Sequence, residues 1–202
     1  MELLLLSSSR TRAGYFTDYL PAIKDFTAGT RRAVFLPFAA VSLPWDEYAA
    51  KVSEAIALAL HPPEELPGAD LVVVGGGNTF PRYLGWSAGA NLACPTIKTT
   101  NDMPIVDPGG LEALGLVAFQ INPHYVNATF AGQHGETRDE RLAEFARANP
   151  GLPVIGLPEG DWLRVSGVSV ELHGAHPAVW FDGEKVAIRI EPGSPTPFGD
   201  SL

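Results

Sequence analysis

Leu84-Gly85-Trp86-Ser87-Ala88-Gly89-Ala90-Asn91 carries the pattern Gly-x-Ser-x-Gly. This is the pattern of a nucleophile elbow, in which a strand ends, turns sharply and starts a helix with serine at the apex. The flanking glycines are needed because the backbones crowd and one dihedral is strained. Such a turn exposes the Ser87 hydroxyl and leaves helix N-terminal N–H groups without intrahelical partners nearby. Those donors can hold an oxyanion. A chance Gly/Ser/Ala turn would look the same over five residues, so the rest of the chain has to decide.

Outward from the elbow, apolar runs alternate with helical patterns. Leu3–Leu6 reads as a central parallel strand, closed by Ser7-Ser8-Ser9. Tyr15 to Phe26 reads as a helix despite Pro21, and Ala33–Phe38 as the second strand. Trp45 to Leu60 reads as a helix, with Tyr48, Val52, Ile56 and Leu60 on one face. Leu71–Val74 is a buried strand running into Gly75-Gly76-Gly77-Asn78. The alternation implies an α/β fold with a mostly parallel sheet flanked by helices. Phe119–Asn122 reads as a short strand and Thr137 to Ala148 as a charged helix. Five further runs come after it: Val154–Leu157, Trp162–Val165, Val168–Leu172, Ala178–Phe181 and Val186–Ile188. Turn residues between them, such as Ser166-Gly167 and Asp182-Gly183, predict antiparallel strands added to the sheet at its C-terminal end.

Two junctions are too short for this pattern. Eight residues separate Val74 from Tyr83, whereas parallel neighbours need a crossover of roughly a dozen. After Leu60 the long helix meets His61-Pro62-Pro63 with no strand between. Either two elements have been lost or residues are missing from the sequence at Leu60–His61 and Phe80–Pro81; the second alternative is favoured, with chain breaks expected at both places.

Composition limits the function. The 202 residues suffice for a single α/β domain, residues 1–202, with a sizeable core. The net charge of −9 argues against nucleic acid and anionic membranes as partners, and an acidic substrate would need a local basic residue. A lone Cys94 allows no internal disulfide and fits a reducing compartment. Leu3–Leu6 is too short for a signal or spanning segment, so a cytoplasmic location is expected.

Ser87 requires a base, and histidine is the usual one. Of the five histidines, His124 follows a short strand and falls at a sheet edge, where catalytic loops gather. His61, His134, His173 and His176 read as solvated loop residues. His173-x-x-His176 is not read as a metal pair, because no cysteine or clustered carboxylate accompanies it. The orienting acid is either Asp102, fifteen residues after Ser87 in Thr100-Asn101-Asp102-Met103-Pro104, or Glu159, just after the apolar run Val154–Leu157. The first oxyanion donor is the amide of Ala88, the residue after the nucleophile. The second comes from Gly76 or Gly77, where the backbone can approach a substrate closely. Gly75–Gly77 is not a phosphate cradle: neither a Gly-Lys-Ser/Thr ending nor a G-x-G-x-x-G is present.

The chain resembles the peptidase E family, serine peptidases that cleave aspartyl dipeptides on a class I glutamine amidotransferase-like fold. The resemblance rests on MELLLLS (Met1–Ser7), VFLPF (Val34–Phe38), WDEY (Trp45–Tyr48), VGGGNTF (Val74–Phe80), GWSAGANLACP (Gly85–Pro95), TTNDMPIVDP (Thr99–Pro108), QINPH (Gln120–His124), GETR (Gly135–Arg138) and VIGLPEGDW (Val154–Trp162). The chain departs from the family by contraction, at the two junctions already noted. The resemblance implies His124 as base and Asp102 as the acid, with Glu159 the second choice. Arg138 stands where the family's substrate-contacting arginine lies, with Lys98 next in line as the reader of an acidic side chain. Glu159 and Asn78 complete the candidate substrate-binding set. The activity implied is that of a serine dipeptidase for Asp-X substrates that uses no metal or cofactor. The rivals are a cyanophycinase-like peptidase and a non-catalytic binding protein on the same scaffold. A glutamine amidotransferase would need cysteine at position 87.

Overall fold

Leucine and valine runs without polar alternation suit strands covered on both faces, and they form the centre of the molecule. The computed structural model describes residues 1–37, 43–74, 82–102, 107, 109–128, 135–183, 187–194 and 196. In chain order its strands are β1 (Glu2–Leu6), β2 (Arg10–Thr11), β3 (Gly14–Tyr15), β4 (Ala33–Leu36), β5 (Leu60–His61), β6 (Leu71–Val74), β7 (Arg82–Trp86), β8 (Gln120–Tyr125), β9 (Val154–Pro158), β10 (Trp162–Ser166), β11 (Ser169–His173), β12 (Ala178–Phe181) and β13 (Ile188–Ile190). Its helices are α1 (Leu20–Phe26), α2 (Trp45–Ile56), α3 (Ala88–Leu92) and α4 (Arg138–Ala148).

A seven-stranded sheet runs β11-β10-β1-β7-β6-β4-β5. Its β1, β7, β6, β4 and β5 are parallel, and β10 and β11 are added antiparallel beyond β1. Successive β1 residues face opposite ways, as the two-residue period requires. Leu4 and Leu6 pack with Ile23 and Phe26 of α1 and Val52 and Ile56 of α2. Leu3 and Leu5 join a second layer with Ala90 of α3, Ile121 of β8 and Ile155 of β9. All four leucines are buried, and each contributes about 1.5–3 kcal/mol of transfer free energy.

A four-stranded sheet, β13-β12-β9-β8, stands behind the second layer. Here the structure corrects the expected run of hairpins: β9 pairs parallel with β8 and is antiparallel only to β12. The predicted helix from Tyr15 is shorter. Gly14–Tyr15 pairs with Arg10–Thr11, a 3₁₀ turn covers Thr17–Tyr19, and α1 begins at Leu20.

The first short junction also differs from expectation. Helix α2 ends at Ala57 in a left-handed conformation, and the chain continues without a break into β5. Leu60 and His61 pair parallel with Ala33 and Val34, so the strand that the sequence pattern does not reveal is present as two residues at the sheet edge. Phe80–Pro81 lies outside the described residues.

Candidate active site

β7 ends in the elbow. Ser87 adopts φ 50° and ψ −117°, a conformation that costs of order 1–3 kcal/mol for a residue with a side chain. Packing holds it there. A Cβ on Gly89 would sit 2.5 Å from the Val74 carbonyl oxygen, and one on Gly85 2.7 Å from that of Gly89. The Tyr83 hydroxyl donates to the Gly89 carbonyl at 2.6 Å, and the Ser87 amide donates to Leu6 O at 3.2 Å. Both glycines are thus required by space, as the motif implies.

His124 reaches the elbow from β8. It too has a positive φ, 53°, at an irregularity where the β8–β9 register shifts between Asn122 and Tyr125. Such a bulge re-aims a side chain out of the ladder. Ser7, the residue after β1, stabilises the bend. Its hydroxyl accepts the His124 N–H at 2.8 Å and donates to Leu157 O at 2.9 Å. As a result His124 Nε2 stands 2.8 Å from Ser87 Oγ.

His124 Nδ1 stands 2.8 Å from Glu159 Oε1. The partner of Nδ1 is thus Glu159, the second choice from the sequence, and not Asp102, the first. Nδ1 has one position for a partner, and Glu159 fills it. Asp102 is exposed, its own N–H donating to Thr100 Oγ1 at 3.3 Å, and it lines a cavity together with Ser87, His124 and Glu159. The Glu159 side chain is 63% exposed, so its charge is well screened by solvent.

Ser87, His124 and Glu159 open on a cavity of about 360 Å³ that Ala88, Trp86 and Arg10 also line. Arg138 lies against a second cavity, of about 760 Å³, with Lys98, Asn101 and Asn122. Its Nη1 donates to Asn122 Oδ1 at 3.1 Å and to Asn101 Oδ1. The carboxylates that could neutralise it as a surface arginine are engaged elsewhere. Glu136 pairs with Arg141 at 3.4 Å, and Asp139 accepts from Tyr125 and Asn127. Gly76, Gly77 and Asn78 lie outside the described residues. Of the remaining histidines, His173 stacks on Trp162 with centroids 5.6 Å apart, and His176 Nδ1 faces Asp161 at 3.2 Å.

Sequence reasoning passes over four contributors. Ser7 lies inside the MELLLLS stretch, where its residue type alone assigns no role. Asn101 and Asn122 form a bridge, Asn122 Nδ2 donating to Asn101 Oδ1 at 2.6 Å and Asn101 Nδ2 to Pro123 O at 2.7 Å. Tyr19 accepts the Gly160 N–H at 3.0 Å and so fixes the Glu159 loop from the far side of the sequence. Only the position of Ser7, at the end of a strand beside the elbow strand, carries a signal.

The arrangement suits acyl transfer through serine, and the comparisons agree. The Peptidase E of Citrobacter koseri is 43% identical over 226 aligned positions, covering 96% of this chain and 99% of that one. The Peptidase E of Salmonella arizonae is 42% identical over the same span. The alignment is longer than this chain, as expected of relatives that carry residues this one lacks. Among solved structures, a peptidase from an acI-B1 Actinobacterium superposes with TM-score 0.64 at 16% identity, covering 96% of both chains. A putative Peptidase E protein from Listeria monocytogenes gives 0.58 at 21%, covering 86% of this chain and 98% of that one; at these identities the likeness concerns the fold. The match to Peptidase family S51 covers residues 3–81 and 82–173, interrupted at the contraction between β6 and β7. With a Gly-x-Ser-x-Gly elbow and most of its length matched, the chain belongs to peptidase family S51 and is a serine peptidase.

Proposed function

We propose that the chain hydrolyses dipeptides with an N-terminal aspartyl residue, with Ser87 as nucleophile, His124 as general base and Glu159 as the group that orients His124. The observation that carries this reading is the continuous relay Glu159–His124–Ser87, with both links at 2.8 Å, at the apex of a strained elbow. Glu159 accepts from Nδ1–H, leaving Nε2 free to take the Ser87 proton as Oγ attacks the peptide carbonyl. The tetrahedral oxyanion is held by the Ala88 N–H and one from Gly76 or Gly77. On collapse the protonated Nε2 gives its proton to the departing amine. Water, deprotonated by His124, then releases the aspartyl group from the Ser87 ester.

Arg138 reads the aspartyl carboxylate. The Asn101–Asn122 bridge holds its Nη1 and leaves the rest of the guanidinium fork for a carboxylate. The relatives named Peptidase E support a peptide substrate. The test is a hydrolysis series of Asp-Leu, Glu-Leu, Asn-Leu and N-blocked Asp-Leu, with fluorophosphonate labelling of the wild type and Ser87→Ala. Turnover confined to unblocked Asp-Leu, with labelling lost in Ser87→Ala, is expected. Labelling without turnover of any aspartyl peptide would move the specificity elsewhere, towards a cyanophycinase-like substrate. Absence of labelling would favour a binding protein that retains the scaffold.

A further inference from the structure

An aspartyl dipeptide presents two carboxylates, and Arg138 accounts for one. We infer that Arg10 binds the free C-terminal carboxylate of the substrate and thereby selects dipeptides over longer or blocked chains; this rests on the aspartyl dipeptidase reading.

Arg10 is the one cationic side chain among the described residues that line the cavity of Ser87, His124 and Glu159. It is exposed, and among the described residues no carboxylate is paired with it. Most other arginines have partners: Arg31, Arg32, Arg141, Arg164 and Arg189 pair with acids, and Arg82 donates to the carbonyls of Phe26 and Ala28. The backbone of Arg10 is fixed. It pairs with Tyr15 in the β2–β3 ladder, and its carbonyl accepts the Ser8 hydroxyl at 2.5 Å. A guanidinium with no acid partner among the described residues, on a fixed backbone and lining one cavity with Asp102 and Glu159 in a chain of net charge −9, is the local cation that an anionic ligand requires.

The side on which it stands decides which carboxylate it meets. Residues 7 to 10 are fastened to the histidine–glutamate side of Ser87. Ser7 Oγ holds the His124 amide, and the Ser8 hydroxyl lies 3.3 Å from that of Tyr19, which in turn accepts from Gly160, next to Glu159. His124 Nε2 delivers its proton to the leaving amine, so the leaving residue occupies that side. In a dipeptide that residue ends in a carboxylate one carbon beyond its nitrogen. An arginine fork pairs with such a group through two hydrogen bonds.

The experiment compares Asp-Leu with Asp-Leu-amide on the wild type, Arg10→Ala and Arg10→Lys, following kcat and KM separately. The wild type should favour the free acid by about ten- to a hundredfold in kcat/KM, and Arg10→Ala should lose that preference through KM while leaving Asp-Leu-amide nearly unaffected. Arg10→Lys should restore part of it. Equal losses on both substrates, or an undiminished preference in Arg10→Ala, would overturn the inference. Calorimetric titration of the same two ligands into Ser87→Ala, with and without Arg10→Ala, reads the contrast without turnover. The Asp-Leu against Asn-Leu ratio tests the aspartyl reading separately, because it varies the other carboxylate.

Discussion

Ser87 holds a backbone conformation that only its surroundings enforce, so the glycines around it are sensitive positions. In Gly89→Ala the new methyl would meet the Val74 carbonyl at 2.5 Å. Backbone cannot yield as a flexible side chain can, so the elbow must move. A loss of about 1–3 kcal/mol in unfolding free energy is expected, together with loss of fluorophosphonate labelling. Denaturant melts showing an unchanged midpoint would contradict it. The relay makes a second prediction at this scale. Glu159→Gln should lower kcat by several powers of ten, towards the roughly 10⁴-fold seen when the orienting acid of a serine triad is replaced by amide. Asp102→Asn should change kcat by less than about tenfold, since no hydrogen bond to His124 is removed. The reverse order in steady-state rates would return the role to Asp102. The contact of His124 with Ser87 is legible in the sequence because each sits in a local pattern. Which carboxylate faces His124 is not, because that depends on register. Glu159 follows β9, and Tyr125 lies opposite Pro158 in the adjoining parallel strand, so the loops after the two strands emerge side by side. Nothing in the linear spacing of 102, 124 and 159 encodes that pairing.

Arg138 is the first residue of α4, and its placement depends on how that helix begins. The Thr137 hydroxyl accepts the Glu140 N–H at 3.2 Å, and the Glu140 carboxylate accepts the Thr137 N–H at 2.7 Å. These reciprocal bonds satisfy two donors at the helix start. Thr137→Ala should destabilise the protein by about 1 kcal/mol and raise KM for Asp-Leu with little change in kcat, because the residue adjoining the cap is the one proposed to read the substrate. A change in kcat alone would show that α4 serves the chemistry instead. Helix α4 matches its predicted span closely, since charge and apolar period agree over it. The start of α1 differs from its predicted position because Tyr15, Phe16 and Tyr19 look like helix residues in series, whereas Phe16 has a φ of 58° and closes a turn. All three are instead used for tertiary packing, Phe16 edge-on to Trp86 and to Tyr15, and Tyr19 edge-on to Trp162. Strand β5 escapes sequence reading for a different reason: two residues carry no period.

The two sheets are joined covalently where β9 ends and β10 begins, and Asp161 lies at that crossing. Its carbonyl accepts the Ser7 N–H at 3.1 Å. Its carboxylate is fully buried, with Oδ1 accepting from the amides of Ala175 at 2.7 Å and His176 at 3.1 Å and Oδ2 facing His176 Nδ1. The loop after β11 is thereby tied to the loop that carries Glu159. Gly174 permits the approach, since a Cβ there would overlap the Asp161 carboxylate. Burial raises the Asp161 pKa above its ordinary 3.8, outweighing the opposing pull of the two amides and of His176. The sign for stability follows from proton binding. Between the unfolded and the raised folded pKa, the folded state binds more protons than the unfolded one, so stability falls as pH rises through that window. This runs opposite to a carboxylate held low by a cation. Asparagine keeps an oxygen for the Ala175 and His176 amides and does not ionise. Asp161→Asn should therefore be close to the parent in stability below pH 3.8, should gain on it as pH rises from there through the raised folded pKa, and should keep that advantage above it. Urea unfolding of both proteins at a series of pH values checks this. A stability difference that stays constant, or that turns against the variant as pH rises, would show that hydrogen bonds to the ionised carboxylate outweigh its desolvation at this crossing.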